Sequence, residues 1–253
     1  MIRMPGFCIY AGEMVNQPTL TEMLQNHTRS ASISFGEETL DLLSRVTDFS
    51  LRPDGVMQFM YQWDEPLSYN YRGRIEHVVR TFNLNVRIVT GDHHLYFLVE
   101  KDVKYGKSRD VMIELAKIIY NSTRRILNAY IVSDLIKQIE GQDSMKLETE
   151  WFRAVSSLDK AIGIFGELDT RNDDGTRGLS ETHRRYKNRE KTASTFLSYS
   201  KNGVRVYISA NKSSVTLKAP SEVNVSLNDV EQYVRALILP KIVVESLPID
   251  STN

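Results

Sequence analysis

Apolar positions fall at helical spacing in some stretches of the chain and alternate in others, and the two periods divide it. Val111, Met112, Leu115, Ile118 and Ile119 form a stripe beginning at Ser108, resumed by Ile126, Leu127, Tyr130, Leu135 and Ile139. That pattern predicts helix over 109–140, with "NST" at 121–123 joining two segments or interrupting one. Trp151, Val155, Leu158, Ile162 and Phe165 fall on one face of a further helix over 150–168. Shorter helices are expected from Thr19, with Glu22 completing a capping box, over "GEETLDLLSRV" at 36–46, and over 73–83 on the spacing of Ile75, Val78, Val79 and Phe82.

Extended segments are expected at "FCIYA", "SASISF", "LNVRIVT" and "LYFLVEK". Pro53-Asp54-Gly55 marks a hairpin turn before "VMQFMYQW", and "GDHH" at 91–94 marks another. Residues 195–219 read as a β-meander hinged at Asn202-Gly203, because both central positions of a type I′ turn need positive φ. That register places Leu197, Tyr199, Val204, Val206 and Ile208 on one face. Ser226 caps a following helix with Asp229 at the box position, Pro240 ends it, and "KIVVESL" returns as a strand.

The expected fold class is α+β. It has an N-terminal mixed αβ region, a helical middle, and a C-terminal antiparallel three-stranded meander with a packed helix. The expected domains are 1–168, carrying helical segments 109–140 and 150–168, a polar loop or linker at 169–192, and a meander plus helix at 193–253.

Charge narrows the function. Lys plus Arg and Asp plus Glu both number 32, so no global field draws the protein to polyanions, and any such affinity must come from a local patch. Two patches combine cations with aromatic rings. One is Tyr69, Tyr71, Arg72 and Arg74 around the flexible Gly73, and the other is Arg184, Arg185, Tyr186, Lys187 and Arg189. Arg and Lys neutralise phosphates while tyrosine rings stack on bases, so these are candidate nucleic-acid contacts. Arg205, Tyr207 and Lys218 on the polar face of the meander would extend such a surface.

The polar stretch itself, "TRNDDGTRGLSE" from Thr170, has calcium-loop spacing in Asn172, Asp174, Gly175 and Glu181. Thr170 in place of a carboxylate, and Arg177 where a small apolar residue belongs, argue against it. A solvated connector is expected instead. The row Met57, Phe59, Tyr61 and Trp63 lies on one strand face, and the cost of exposing large aromatics makes it core rather than a base-stacking platform.

One arrangement points to chemistry. Asp92 follows one expected strand and Asp102-x-Lys104 follows the next, the order in which Mg²⁺-dependent nucleases hold an ion with two carboxylates beside a lysine. Adjacent His93 and His94 are turn residues. Phosphate loops, nucleophile elbows and dinucleotide fingerprints are absent from the sequence. The single Cys8 excludes an internal disulfide and any multi-cysteine zinc site.

The leading expectation is therefore a non-enzymatic interaction or regulatory protein that contacts DNA or RNA, cytoplasmic or nuclear, with no cofactor, no metal and no membrane partner. A Mg²⁺-dependent nuclease using Asp92, Asp102 and Lys104 is one alternative. A self-assembling structural subunit, pairing with itself or a protein partner through helices 109–140 and 150–168, is the other.

Overall fold

The computed structural model describes residues 4–132, 135, 139, 146–154, 165–169, 192–201, 203–210, 213–220 and 223–248. Among them antiparallel sheet dominates, and the expected helical middle is not found. In chain order the elements are β1 (Gly6–Gly12), α1 (Gln17–Gln25), β2 (Thr28–Phe35), β3 (Glu38–Leu51), β4 (Met57–Tyr71), β5 (Arg74–Thr90), β6 (Leu95–Glu100) and α2 (Ser108–Tyr120). There follow β7 (Ile126–Tyr130), β8 (Lys146–Ala154), β9 (Phe165–Asp169), β10 (Thr192–Lys201), β11 (Val204–Ser209), β12 (Ser214–Lys218), α3 (Leu227–Tyr233) and β13 (Val243–Pro248).

The correction to the fold class has local causes. Of the segment 109–140, only α2 is a continuous helix, because Asn121 takes a left-handed conformation (φ 53°) that closes it. The run from Ile126 then extends as β7. Ile126, Leu127 and Ala129 are buried, and spacing alone cannot assign helix or strand to so short an apolar run. Leu135 and Ile139 are helical and buried. The segment 150–168 is not a helix where described. Residues 146–154 pair with β10 and residues 165–169 pair with β8, so long-range ladder bonds override the local pattern. The helices expected at 36–46 and 73–83 are likewise strand, within β3 and β5.

The chain divides into two compact units, Tyr10–Leu127 with Leu247–Asn253, and Met1–Ile9 with Asn128–Ser246. The division falls at 127/128, and the expected linker at 169–192 lies almost wholly outside the described residues.

In the first unit β2, β3, β4, β5 and β6 are consecutive antiparallel neighbours. Met57, Phe59 and Tyr61 pair directly with Ile88, Val86 and Leu84, so one face is apolar as expected for this row. With Leu95, Phe97 and Val99 of β6 it packs against Leu20 and Leu24 of α1 and Val111, Met112, Leu115 and Ile119 of α2. Gly12 must stay glycine for this packing. A Cβ there would sit 2.5 Å from the Tyr120 hydroxyl and 2.9 Å from the Phe97 ring. α1 is capped by Asn16, whose side chain accepts the Thr19 N–H at 2.9 Å, one turn before the expected start.

In the second unit the order is β12, β11, β10, β8, β9, with Gly6–Cys8 of β1 pairing onto β12. Leu197, Tyr199, Val206 and Ile208 are buried on one face, in the register expected from Asn202-Gly203. α3 carries the expected capping box between Ser226 and Asp229. Hydrogen bonds from Ser226 hold the Asp229 carboxyl below the usual carboxylate range. Ser226→Ala is expected to lower the denaturant midpoint by an amount worth about 1 kcal/mol near neutral pH. Because the folded pKa is depressed, the Asp229 share is present above the ordinary aspartate pKa and disappears as pH falls through its lowered value. The gap between Ser226→Ala and the parent therefore narrows in acid.

Among the described residues, no helix is long and apolar enough to cross a membrane.

Candidate nucleic-acid interface

β4 and β5 form one hairpin whose register runs unbroken from Met57↔Ile88 to Tyr71↔Arg74. At 15 residues, β4 is about 50 Å long at ~3.3 Å per residue. The turn is Arg72-Gly73, both at positive φ (52° and 83°), and the Asn70 side chain accepts the Gly73 N–H at 3.0 Å. β3 pairs with β4 no further out than Ser44↔Trp63, so the ribbon continues beyond the core.

Directly opposed residues share a face, which fixes what the core-side face presents as it leaves the core. Trp63↔Phe82 is followed by Glu65↔Arg80, Leu67↔Val78, Tyr69↔Glu76 and Tyr71↔Arg74. Tyr69 is 45% exposed and Tyr71 50%, values that place both rings in solvent. The Arg72 guanidinium lies 5.1 Å from the Tyr71 ring centre, and the Tyr69 hydroxyl donates to Glu76 at 2.7 Å. The predicted cluster Tyr69, Tyr71, Arg72 and Arg74 is thus assembled at the hairpin tip.

A second group on the same face was missed in the sequence. Arg80 stacks 4.1 Å from the Tyr105 ring centre and 5.1 Å from that of Phe82, and it donates to the Tyr105 hydroxyl. Lys104 lies 4.8 Å from the Tyr105 ring centre, and Lys107 lies 5.5 Å from that of Phe82. Tyr61, Trp63 and Phe82 stack in series with centroids 5.8 and 5.2 Å apart, and Tyr105 meets Phe82 edge-on at 5.5 Å. Tyr105, 38% exposed, is the solvent end of this ladder. The Asp102 carboxylate shapes the loop, accepting the backbone N–H groups of Lys104 (3.0 Å), Tyr105 (3.1 Å) and Lys107 (3.3 Å).

The electrostatics follow from these contacts. The Lys104 ammonium and then the Arg80 guanidinium hold the Tyr105 hydroxyl below its ordinary range. Burial pushes the Glu65 carboxyl up, but hydrogen bonds from Lys107 (2.7 Å) and Trp63 (3.0 Å) win and leave it below the usual range. Lys107 is neutralised by Glu65, and further by Asp110 at 3.3 Å. Arg72, Arg74, Arg80 and Lys104 make no ion pair within the described residues. The signal for this group was present as "KDVKYGK" at 101–107, three lysines and a tyrosine in one loop. Its partner Arg80 was hidden inside a segment read as helix.

The chain matches no protein-family model, no curated protein and no solved structure.

The remaining candidates are placed as follows. Arg184, Arg185, Tyr186, Lys187 and Arg189 lie outside the described residues, as does the calcium-like spacing from Thr170. In the second unit Arg205↔Lys218 and Tyr207↔Thr216 are opposed, so the expected polar face exists there, with Arg205 donating to the Tyr207 hydroxyl at 3.4 Å. Asp92 sits in the turn before β6, and Asp102 lies beyond its other end. Six residues of strand, about 20 Å, lie between the turn that holds Asp92 and the loop that holds Asp102. Among the described residues, no three His, Cys, Asp or Glu side chains are grouped to hold a metal ion. Of the two segments behind the self-assembly alternative, 109–140 holds the helix α2, and the described residues of 150–168 are strand.

Proposed function

We propose that this protein is a non-enzymatic, nucleic-acid-contacting protein that binds single strands along the core-side face of the β4–β5 ribbon where it runs out beyond the core. The observation that carries this reading is one face holding three exposed tyrosines, Tyr69, Tyr71 and Tyr105, interleaved with Arg72, Arg74, Arg80 and Lys104. Exposed rings favour single strands, because unpaired bases offer their flat faces for stacking and a duplex hides them. From Arg74 to Arg80 the strand advances about 20 Å, enough to follow several nucleotides. A cytoplasmic or nuclear location suits such a partner.

Fluorescence anisotropy with a labelled single-stranded oligonucleotide and the matching duplex tests this. The single strand should bind more tightly, and Tyr71→Ala and Tyr105→Ala should each cost about 1–3 kcal/mol of binding. Equal affinity for duplex, with neither tyrosine mattering, would exclude the stacking mode.

A further inference from the structure

A cavity of about 400 Å³ opens in the first unit between the outer strands of the sheet and the first turns of α2. Its size falls within the range of small-molecule sites, about 300–1,000 Å³. The floor is a cross-strand row, Arg29 on β2, Ser44 on β3 and Trp63 on β4, which the register sets side by side. Tyr61, one alternation inward on β4, continues that floor. The roof carries Asp110 and Glu114, four residues apart on α2 and therefore on one helix face.

Four acids and Arg29 line this cavity; Asp64 already accepts from the Leu43 N–H and the Thr81 hydroxyl, and Glu65 from Lys107 and Trp63, which leaves Arg29 opposed to Asp110 and Glu114 but not joined to them. The Arg29 guanidinium makes no ion pair or hydrogen bond with another described residue. Glu114 gives one oxygen to Lys117 at 2.6 Å, and Asp110 stands 3.3 Å from Lys107, so each acid retains an oxygen for a further donor. Burial dominates at both His27 and Tyr61, and Arg29 and Glu114 act in opposite senses on each. A lone anion bound here would face the roof acids, and a lone cation would face Arg29. A ligand carrying both charges on an apolar body satisfies the cavity.

We propose that this cavity binds a free α-amino acid with an apolar side chain. Its carboxylate pairs with Arg29, its ammonium pairs with Glu114 and Asp110, and its side chain rests on Trp63 and Tyr61. Arg forks match carboxylates in geometry, and charge-assisted hydrogen bonds are the strong ones, so each end contributes to affinity.

Calorimetric titration of the full chain with L-phenylalanine, phenethylamine and phenylpropionate tests the assignment. L-phenylalanine should bind saturably, about tenfold or more tighter than either half-ligand. Arg29→Gln should weaken L-phenylalanine about tenfold and, by removing a like charge, tighten phenethylamine, while Glu114→Gln should weaken L-phenylalanine and tighten phenylpropionate. The comparison of ligands on the unaltered protein stands even if a variant folds poorly. Absence of saturable heat with L-phenylalanine overturns the proposal. So does phenethylamine binding as tightly as L-phenylalanine, which would make this a simple cation site.

Discussion

Replacing Arg72, Arg74, Arg80 and Lys104 together with alanine should weaken binding to a single-stranded oligonucleotide by about four thousandfold at 50 mM salt. Each phosphate contact on a single strand lowers the logarithmic salt slope by about 0.7, which corresponds to about eightfold per contact between 1 M and 50 mM. Four such contacts multiply to the predicted loss. The effect should vanish as salt rises, since counterion release is its source. The fold should survive. Arg72 and Arg74 are exposed, and the ring contacts of Arg80 and Lys104 are worth only about 0.5–1 kcal/mol each at such sites. Stability measured by denaturant should therefore move little while affinity collapses. A loss of affinity matched by unfolding would point to a structural role instead.

The second large effect is on stability. Phe97 is fully buried on β6, in the apolar cluster that α2 covers, and its ring lies against the Gly12 backbone. Phe97→Ala should cost about 3–5 kcal/mol, combining lost transfer free energy with the cavity left under a rigid sheet. Total stabilities are commonly about 5–15 kcal/mol, so this single change should remove a large share. The check is the urea midpoint at unchanged slope. Leu115→Ala, on the α2 side of the same cluster, should fall in the range of about 2–5 kcal/mol. A cost under 1 kcal/mol for both would mean that α2 does not close the core.

What could be read from the sequence follows from where its signals are local. Turn chemistry is local, so Pro53-Asp54-Gly55, the turn at 91–94 and Asn202-Gly203 all mark real hairpins. Capping is local too, and Ser226 with Asp229 was legible for that reason. The errors arose where spacing stood in for pairing. Ile75, Val78, Val79 and Phe82 fit a helical stripe, yet on β5 they divide between faces, Val78 and Phe82 on one and Ile75 and Val79 on the other. Beyond the core Ile75, Val78 and Val79 are all exposed and Phe35 stacks on His77, so burial imposes no clean apolar alternation by which a strand is recognised.

The candidate interface was half legible for the same reason. Tyr69, Tyr71, Arg72 and Arg74 are neighbours in sequence and remain neighbours at a turn. Arg80 and Tyr105 are brought together only by the β5 register and the loop that Asp102 ties down. Reading residues 73–83 as helix turns Arg80 away from that face, and it leaves Lys104 grouped only with Asp92 and Asp102. The residues of the nuclease arrangement, Asp92, Asp102 and Lys104, show the opposite relation between sequence and space. They follow one another as a motif would, but the whole of β6 lies between Asp92 and Asp102.

The central claim is that phosphates meet Arg72, Arg74, Arg80 and Lys104 along the ribbon. The most direct test is the salt dependence of affinity of the unaltered protein for a single-stranded oligonucleotide of about twenty nucleotides. Four contacts predict a logarithmic slope of about −3. A slope near zero, or no binding at low salt, would contradict the account.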